Sequence, residues 1–92
     1  PKESLITYYD PETKTRLKEV IPIEFGEKEG YYYLFHENGL VAVQGEYQFG
    51  KKVGVWTEYY GNRRRRKKQI QFPKTAFEKN FTPHIIKEWD EN

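Results

Sequence analysis

A chain of 92 residues is the size of one domain or part of one. With 36% hydrophobic residues and a mean hydropathy of −1.01, it excludes a large closed core around an internal active-site cavity. The net charge of +2 is local: Arg63, Arg64, Arg65, Arg66, Lys67 and Lys68 are consecutive cations, and without them 10 basic and 14 acidic residues leave −4.

Eight Tyr, six Phe and two Trp supply the apolar surface, which argues against disorder and suits a thin β-structure. In chain order the pattern predicts strands at 4–9, 16–24, 31–36, 40–48, 54–60, 64–72 and 84–90. Between the third and fourth, Asn38-Gly39 predicts a two-residue type I′ turn. That turn pairs His36 with Val41, Leu34 with Val43 and Tyr32 with Gly45, so Tyr32 covers the gap left by Gly45. Tyr32, Leu34, His36, Val41, Val43 and Tyr47 then share one face, and Tyr31, Tyr33, Phe35, Leu40 and Ala42 the other. The reverse connections are Phe-Gly-x-Lys-x-Gly at 25–30 and Phe-Gly-Lys-Lys-Val-Gly at 49–54. No helix longer than one or two turns is predicted; residues 74–80, between Pro73 and Pro83, read as part of a longer loop. No apolar run approaches the ~18 residues of a membrane helix.

Residues 25–38 align with 49–62 at an offset of 24, with Phe, Gly, Lys, Gly and Asn in common. Tyr32 matches Trp56, Phe35 matches Tyr59 and His36 matches Tyr60, while Tyr8-Tyr9-Asp10 and Trp89-Asp90-Glu91-Asn92 are fainter copies. The chain therefore reads as one β-repeat module (1–92), a piece of a longer array, with clear repeats at 25–48 and 49–72 and partial ones at 1–24 and 73–92. The run Gly54-x-Trp56-x-x-Tyr59-Tyr60, with Gly45-x-Tyr47 and Gly50-Lys51-x-x-Gly54, resembles the MORN repeat, closest to the bacterial variant found in proteins described as antitoxins. Tyr32 stands where that pattern has Trp, and Arg63 where a turn glycine is usual. The resemblance implies an elongated, open, essentially single-layer antiparallel meander of hairpins, used as a non-catalytic interaction scaffold; some relatives of that kind bind acidic phospholipids.

Catalysis has few candidates. His36 and His84 are the only histidines and cysteine is absent, which removes disulfides and thiolate chemistry. His84, Glu88 and Asp90 fall at even spacing on one predicted strand, a spacing a metal set can have but here read as a solvated strand face. No phosphate loop or kinase signature is present. No enzyme activity, cofactor, metal or small-molecule substrate is expected. Two surfaces stand out. One is the basic run 63–68, which on a strand would set three cations on each face, for an anionic protein, acidic phospholipid or nucleic acid, or simply to protect an edge. The other is an aromatic partner face of Tyr31, Tyr33, Phe35, Trp56, Tyr59 and Tyr60. The expected function is protein–protein contact, with anionic-surface binding the alternative. The terminal strands predict association through an edge or an aromatic sheet face, as a dimer or longer chain, with two-fold edge pairing the simplest closed form.

Overall fold

The computed structural model describes residues 2–62 and 64–91. They form eight strands: β1 (Lys2–Tyr8), β2 (Leu17–Glu24), β3 (Glu27–Lys28), β4 (Gly30–Phe35), β5 (Val41–Gln48), β6 (Lys51–Tyr59), β7 (Arg66–Gln71) and β8 (His84–Glu88). Their order in space is β1-β2-β4-β5-β6-β7-β8, every pairing antiparallel, with the short β3 also paired to β2. The protein is an all-β meander in one open sheet, not closed into a barrel. Its extents are 43 × 41 × 12 Å, those of one thin layer. No helix occurs among the described residues.

The turns obey the 24-residue offset, though not with the predicted chemistry. Phe25-Gly26 (φ 52° and 79°) and Phe49-Gly50 (φ 48° and 81°) each have two left-handed residues between strands in two-residue register, the type I′ geometry. Asn38-Gly39 is different. Gly39 alone has positive φ, Gly39 N–H donates to His36 O (2.9 Å) and His36 N–H donates to Leu40 O (2.7 Å). This is a three-residue loop, Glu37 to Gly39, rather than the expected I′ turn. The Asn38 side chain braces the loop instead. Its amide donates to Gly61 O (2.5 Å) and its oxygen accepts from Leu40 N–H (3.0 Å). The extra loop residue puts Val41 opposite Phe35 instead of His36; Leu34↔Val43 and Tyr32↔Gly45 are as expected.

One face carries the core. Tyr32, Tyr47 and Trp56 are buried together, with Ile21, Leu34, Val43 and Phe72 against them. Trp56 stacks on Tyr32 (5.4 Å between centroids) and meets Tyr47 (5.1 Å) and Phe72 (6.0 Å) edge-on. The indole, rather than Tyr32, fills the space over Gly45, where a Cβ would lie 2.6 Å from its Cε3 and closer still to Cδ2 and Cε2. Its N–H donates to Glu46 O (3.2 Å), and the Lys52 ammonium sits over the ring (4.5 Å). Tyr32 donates its hydroxyl to Glu19 (2.5 Å); burial first, then that carboxylate, pushes its pKa well above the usual range.

Candidate functional site

The opposite face is open, and strand register puts Tyr31, Tyr33 and Phe35 of β4, Val41, Gln44 and Glu46 of β5, and Val53, Val55 and Thr57 of β6 on it. Its floor is tight: Val53 is 1% and Thr57 5% exposed, and Gln69 donates to the Thr57 hydroxyl (3.1 Å). Its rim is not: Tyr31 is 67% exposed beside the Tyr33–Phe35 pair (6.2 Å). Two shallow depressions share Gln44. One is lined by Tyr31, Tyr33, Glu46, Val53 and Val55; the other, nearer the 60–65 loop, by Leu40, Val41, Tyr59 and Arg64.

At the 60–65 end this face meets the basic run. Strand β7 begins only at Arg66, so the predicted alternation of three cations per face does not form. Arg64 and Arg65 belong to the loop, whose base is closed by Tyr60 N–H to Arg65 O (2.9 Å). Arg64, Arg65 and Arg66 line a cleft with Tyr59 and Trp89. The Arg66 guanidinium lies 4.4 Å over the Trp89 ring, and Arg65 donates to Glu91 O (3.3 Å). Lys67 approaches Tyr60 (5.9 Å), and Lys68 pairs with Glu58 (3.9 Å) on the core face. Arg63 lies outside the described residues.

The six aromatics singled out from the sequence are thus divided. Tyr31, Tyr33, Phe35 and Tyr59 belong to the open face. Trp56, 4% exposed, is core on the other side: β6 alternates regularly through Val53, Val55 and Thr57 on the open face, which turns Trp56 to the face of Tyr32, its counterpart in the 24-residue repeat. Tyr60 lies beyond β6 and donates its hydroxyl to Trp89 O (2.7 Å). The His84, Glu88 and Asp90 trio also separates. An irregularity between Gln69 and Ile70 sends His84, opposite Gln71, and Glu88, opposite Lys68, to different faces, and Asp90 lies past the strand. Among the described residues no three His, Asp or Glu side chains gather as a metal set.

The sequence reading missed a periodic tie. The residue just after each strand of one direction reaches over the return strand to a carbonyl at the end of the next strand of that direction. Tyr9 hydroxyl donates to Phe35 O (2.6 Å), His36 Nε2 to Tyr59 O (3.1 Å) and Tyr60 hydroxyl to Trp89 O (2.7 Å). A carbonyl only accepts, so His36 carries its hydrogen on Nε2. The imidazole packs against Gly61, where a Cβ would stand 3.2 Å from Nδ1, so His36 is a structural member of this series. The alignment of Tyr9, His36 and Tyr60 in the repeats was the available signal. At the first loop, Asp10 accepts from Thr15 and from Arg16 N–H (2.9 Å); chiefly the Thr15 hydroxyl lowers its pKa from 3.8 to about 2.

Comparison of the chain with family models, with curated proteins and with solved structures finds no match.

Proposed function

We propose that this chain is a non-catalytic, MORN-type β-repeat module that binds another protein through its open face; an antitoxin role is the narrower form of the same reading. The observation that supports it is the mismatch between floor and rim. Val53 and Thr57 close the floor, while Tyr31 stands two-thirds exposed beside Tyr33 and Phe35. Ordered, water-exposed aromatics over a packed floor are the make-up of an interface centre. The depressions are shallow, and their linings hold Gln, Glu, Arg and Tyr without a nucleophile–base pair. The test is a photo-crosslinking amino acid at Tyr31 of the full-length protein in its own cells. A discrete adduct with one protein is expected from position 31 and none from Glu12, an exposed loop residue. No adduct at 31, or the same adducts at both positions, refutes the reading.

The cleft of Arg64, Arg65, Arg66, Tyr59 and Trp89 favours a second reading, attachment to acidic phospholipid or nucleic acid. Binding of vesicles or single-stranded oligonucleotide that falls steeply with salt would support it.

A further inference from the structure

The two depressions on the open face and the arginine cleft are neighbours. Tyr59 and Arg64 line both the cleft and the apolar depression that holds Leu40 and Val41. Apolar surface therefore runs without a break into three guanidinium groups. From β5 to β8 is three strand spacings, about 14 Å, or some four residues of extended chain. Resting on the protein-binding reading above, we propose that the partner presents a short acidic–apolar segment here. Its aliphatic side chains lie on Leu40 and Val41 beside Tyr59, and its carboxylates meet Arg64, Arg65 and Arg66.

Charge complementarity commits the site to this occupant. Among the described residues no acidic side chain lines the Leu40–Val41 depression or the arginine cleft. Of the carboxylates nearby, Glu58 pairs with Lys68 and Glu91 accepts from Asn62 (2.7 Å). The Arg66 guanidinium is carried 4.4 Å over the Trp89 ring, a placement from which its N–H groups can meet a carboxylate. Arg65 is tied at Glu91 O, so two of the three cations are ordered before a ligand arrives. A nucleic-acid site would continue from the cations into further stacking rings. Here it continues into Leu40 and Val41.

The test measures fluorescence anisotropy of labelled octapeptides on the intact protein. The probe alternates Glu and Leu; the controls alternate Glu and Ser, or Lys and Leu. Oligothymidylate and phosphatidylserine vesicles compete in the same buffer. The Glu/Leu peptide should bind at least threefold tighter than Glu/Ser, and Lys/Leu should not bind. Arg66→Gln and Arg64→Gln should each weaken Glu/Leu binding about tenfold, the scale of one charge-assisted contact. Arg66→Lys should restore only part, because an ammonium lacks the stacked fork. Far-UV circular dichroism of each variant separates lost binding from lost fold. Equal binding of Glu/Leu and Glu/Ser overturns the proposal, as does an unchanged affinity in both Gln variants. So does oligothymidylate or vesicle displacing the peptide at lower concentration than unlabelled peptide does. No peptide binding at millimolar concentration, with the Tyr31 crosslink intact, overturns the acidic–apolar assignment and leaves the protein-binding reading standing. Loss of the crosslink overturns the parent reading itself.

Discussion

Replacing Gly45 with alanine adds one methyl group, and the geometry says where it goes. Its Cβ would overlap Cδ2 and Cε2 of Trp56 and lie 2.6 Å from Cε3. Gly45 has no positive φ, so the backbone accepts alanine and the cost is steric alone. Either the indole leaves its place or β5 bends away from it. Overpacking of this kind costs about 1–3 kcal/mol. If Trp56 also loses two of its three ring contacts, to Tyr32, Tyr47 or Phe72, each removes a further ~0.5–1.5 kcal/mol. The total, roughly 2–6 kcal/mol, is a large share of the ~5–14 kcal/mol expected for 92 residues. The melting temperature should fall by at least about 10 °C. Urea denaturation followed by far-UV circular dichroism gives the free energies, and a double-mutant cycle gives the cause. In a Trp56→Phe background the smaller ring leaves room, so Gly45→Ala should cost less than about 1 kcal/mol. Additive effects of the two substitutions would refute the claim that the indole and the glycine occupy one space.

Phe25→Asn should stabilise the protein by up to about 1 kcal/mol, because Asn tolerates the left-handed conformation and the 82%-exposed ring gives up little burial; Phe49→Asn should gain less, since that ring meets Phe77 at 5.3 Å. Thermal melts of the two variants check the order. A carboxyl whose pKa falls from 3.8 to about 2 on folding adds stability above its unfolded value and loses it as pH drops through about 2. Thr15→Val should therefore move the Asp10 midpoint upward and the acid limb of the 9–16 hairpin with it, both read by carbonyl-carbon NMR titration. At the sheet edge, the stretch Ser4–Tyr8 carries no charge and has Leu5 and Ile6 half exposed, so concentration-dependent sedimentation is expected and Ile6→Lys should abolish it. A strict monomer at high micromolar concentration, wild type and variant alike, would remove the edge from consideration.

The meander was legible because its signals are local: aromatic and aliphatic alternation, and glycines at fixed offsets. Turn chemistry was read only in part. Asn38-Gly39 has the composition of a type I′ turn, yet Asn38 is drawn off to Gly61 O, a partner 23 residues away. The I′ geometry falls instead on Phe-Gly, a pair whose first residue local propensity does not favour at positive φ. Face assignments held where pairing was regular, as at Tyr32↔Gly45, and failed beyond an irregularity. The pair His84 and Glu88 sits past a register shift that a strict period of two cannot foresee, whereas Trp56 follows that period and lies on the face of its repeat counterpart Tyr32. The basic run looked like a strand because it is uninterrupted, but its first described residues close the loop after β6, and only Arg66 onward joins the ladder. What the sequence lacked was the contact between that run and Trp89, which depends on the long 72–83 connection returning β8 beside β7.

The ties between strand ends connect this framework to the arginine cleft. Tyr60 holds Trp89 by its carbonyl, Trp89 N–H donates to Lys67 O (2.9 Å), and the Trp89 ring supports Arg66. Tyr60→Phe removes one hydroxyl and keeps the ring, so it deletes the tie without creating a cavity. A hydrogen bond of this kind contributes about 0.5–1.5 kcal/mol. Because Trp89 lies beyond the last strand, at an edge of the sheet, the loss should appear as local opening rather than a uniform loss of stability. Hydrogen exchange should show the Trp89 amide losing about tenfold in protection, the equivalent of ~1.4 kcal/mol, while the amides pairing Tyr32 with Gly45 keep theirs. The equivalent change at the other end, Tyr9→Phe, should loosen the first hairpin and leave Trp89 untouched. Tyr60→Phe should also weaken binding of the Glu/Leu octapeptide, since Arg66 loses its fixed platform, and Tyr9→Phe should not. If Tyr60→Phe lowers protection equally throughout the sheet, the tie is part of the global fold. If it leaves the Trp89 amide unchanged, the hydroxyl does not hold the edge at all. Either result would break the proposed link between the periodic ties and the cleft.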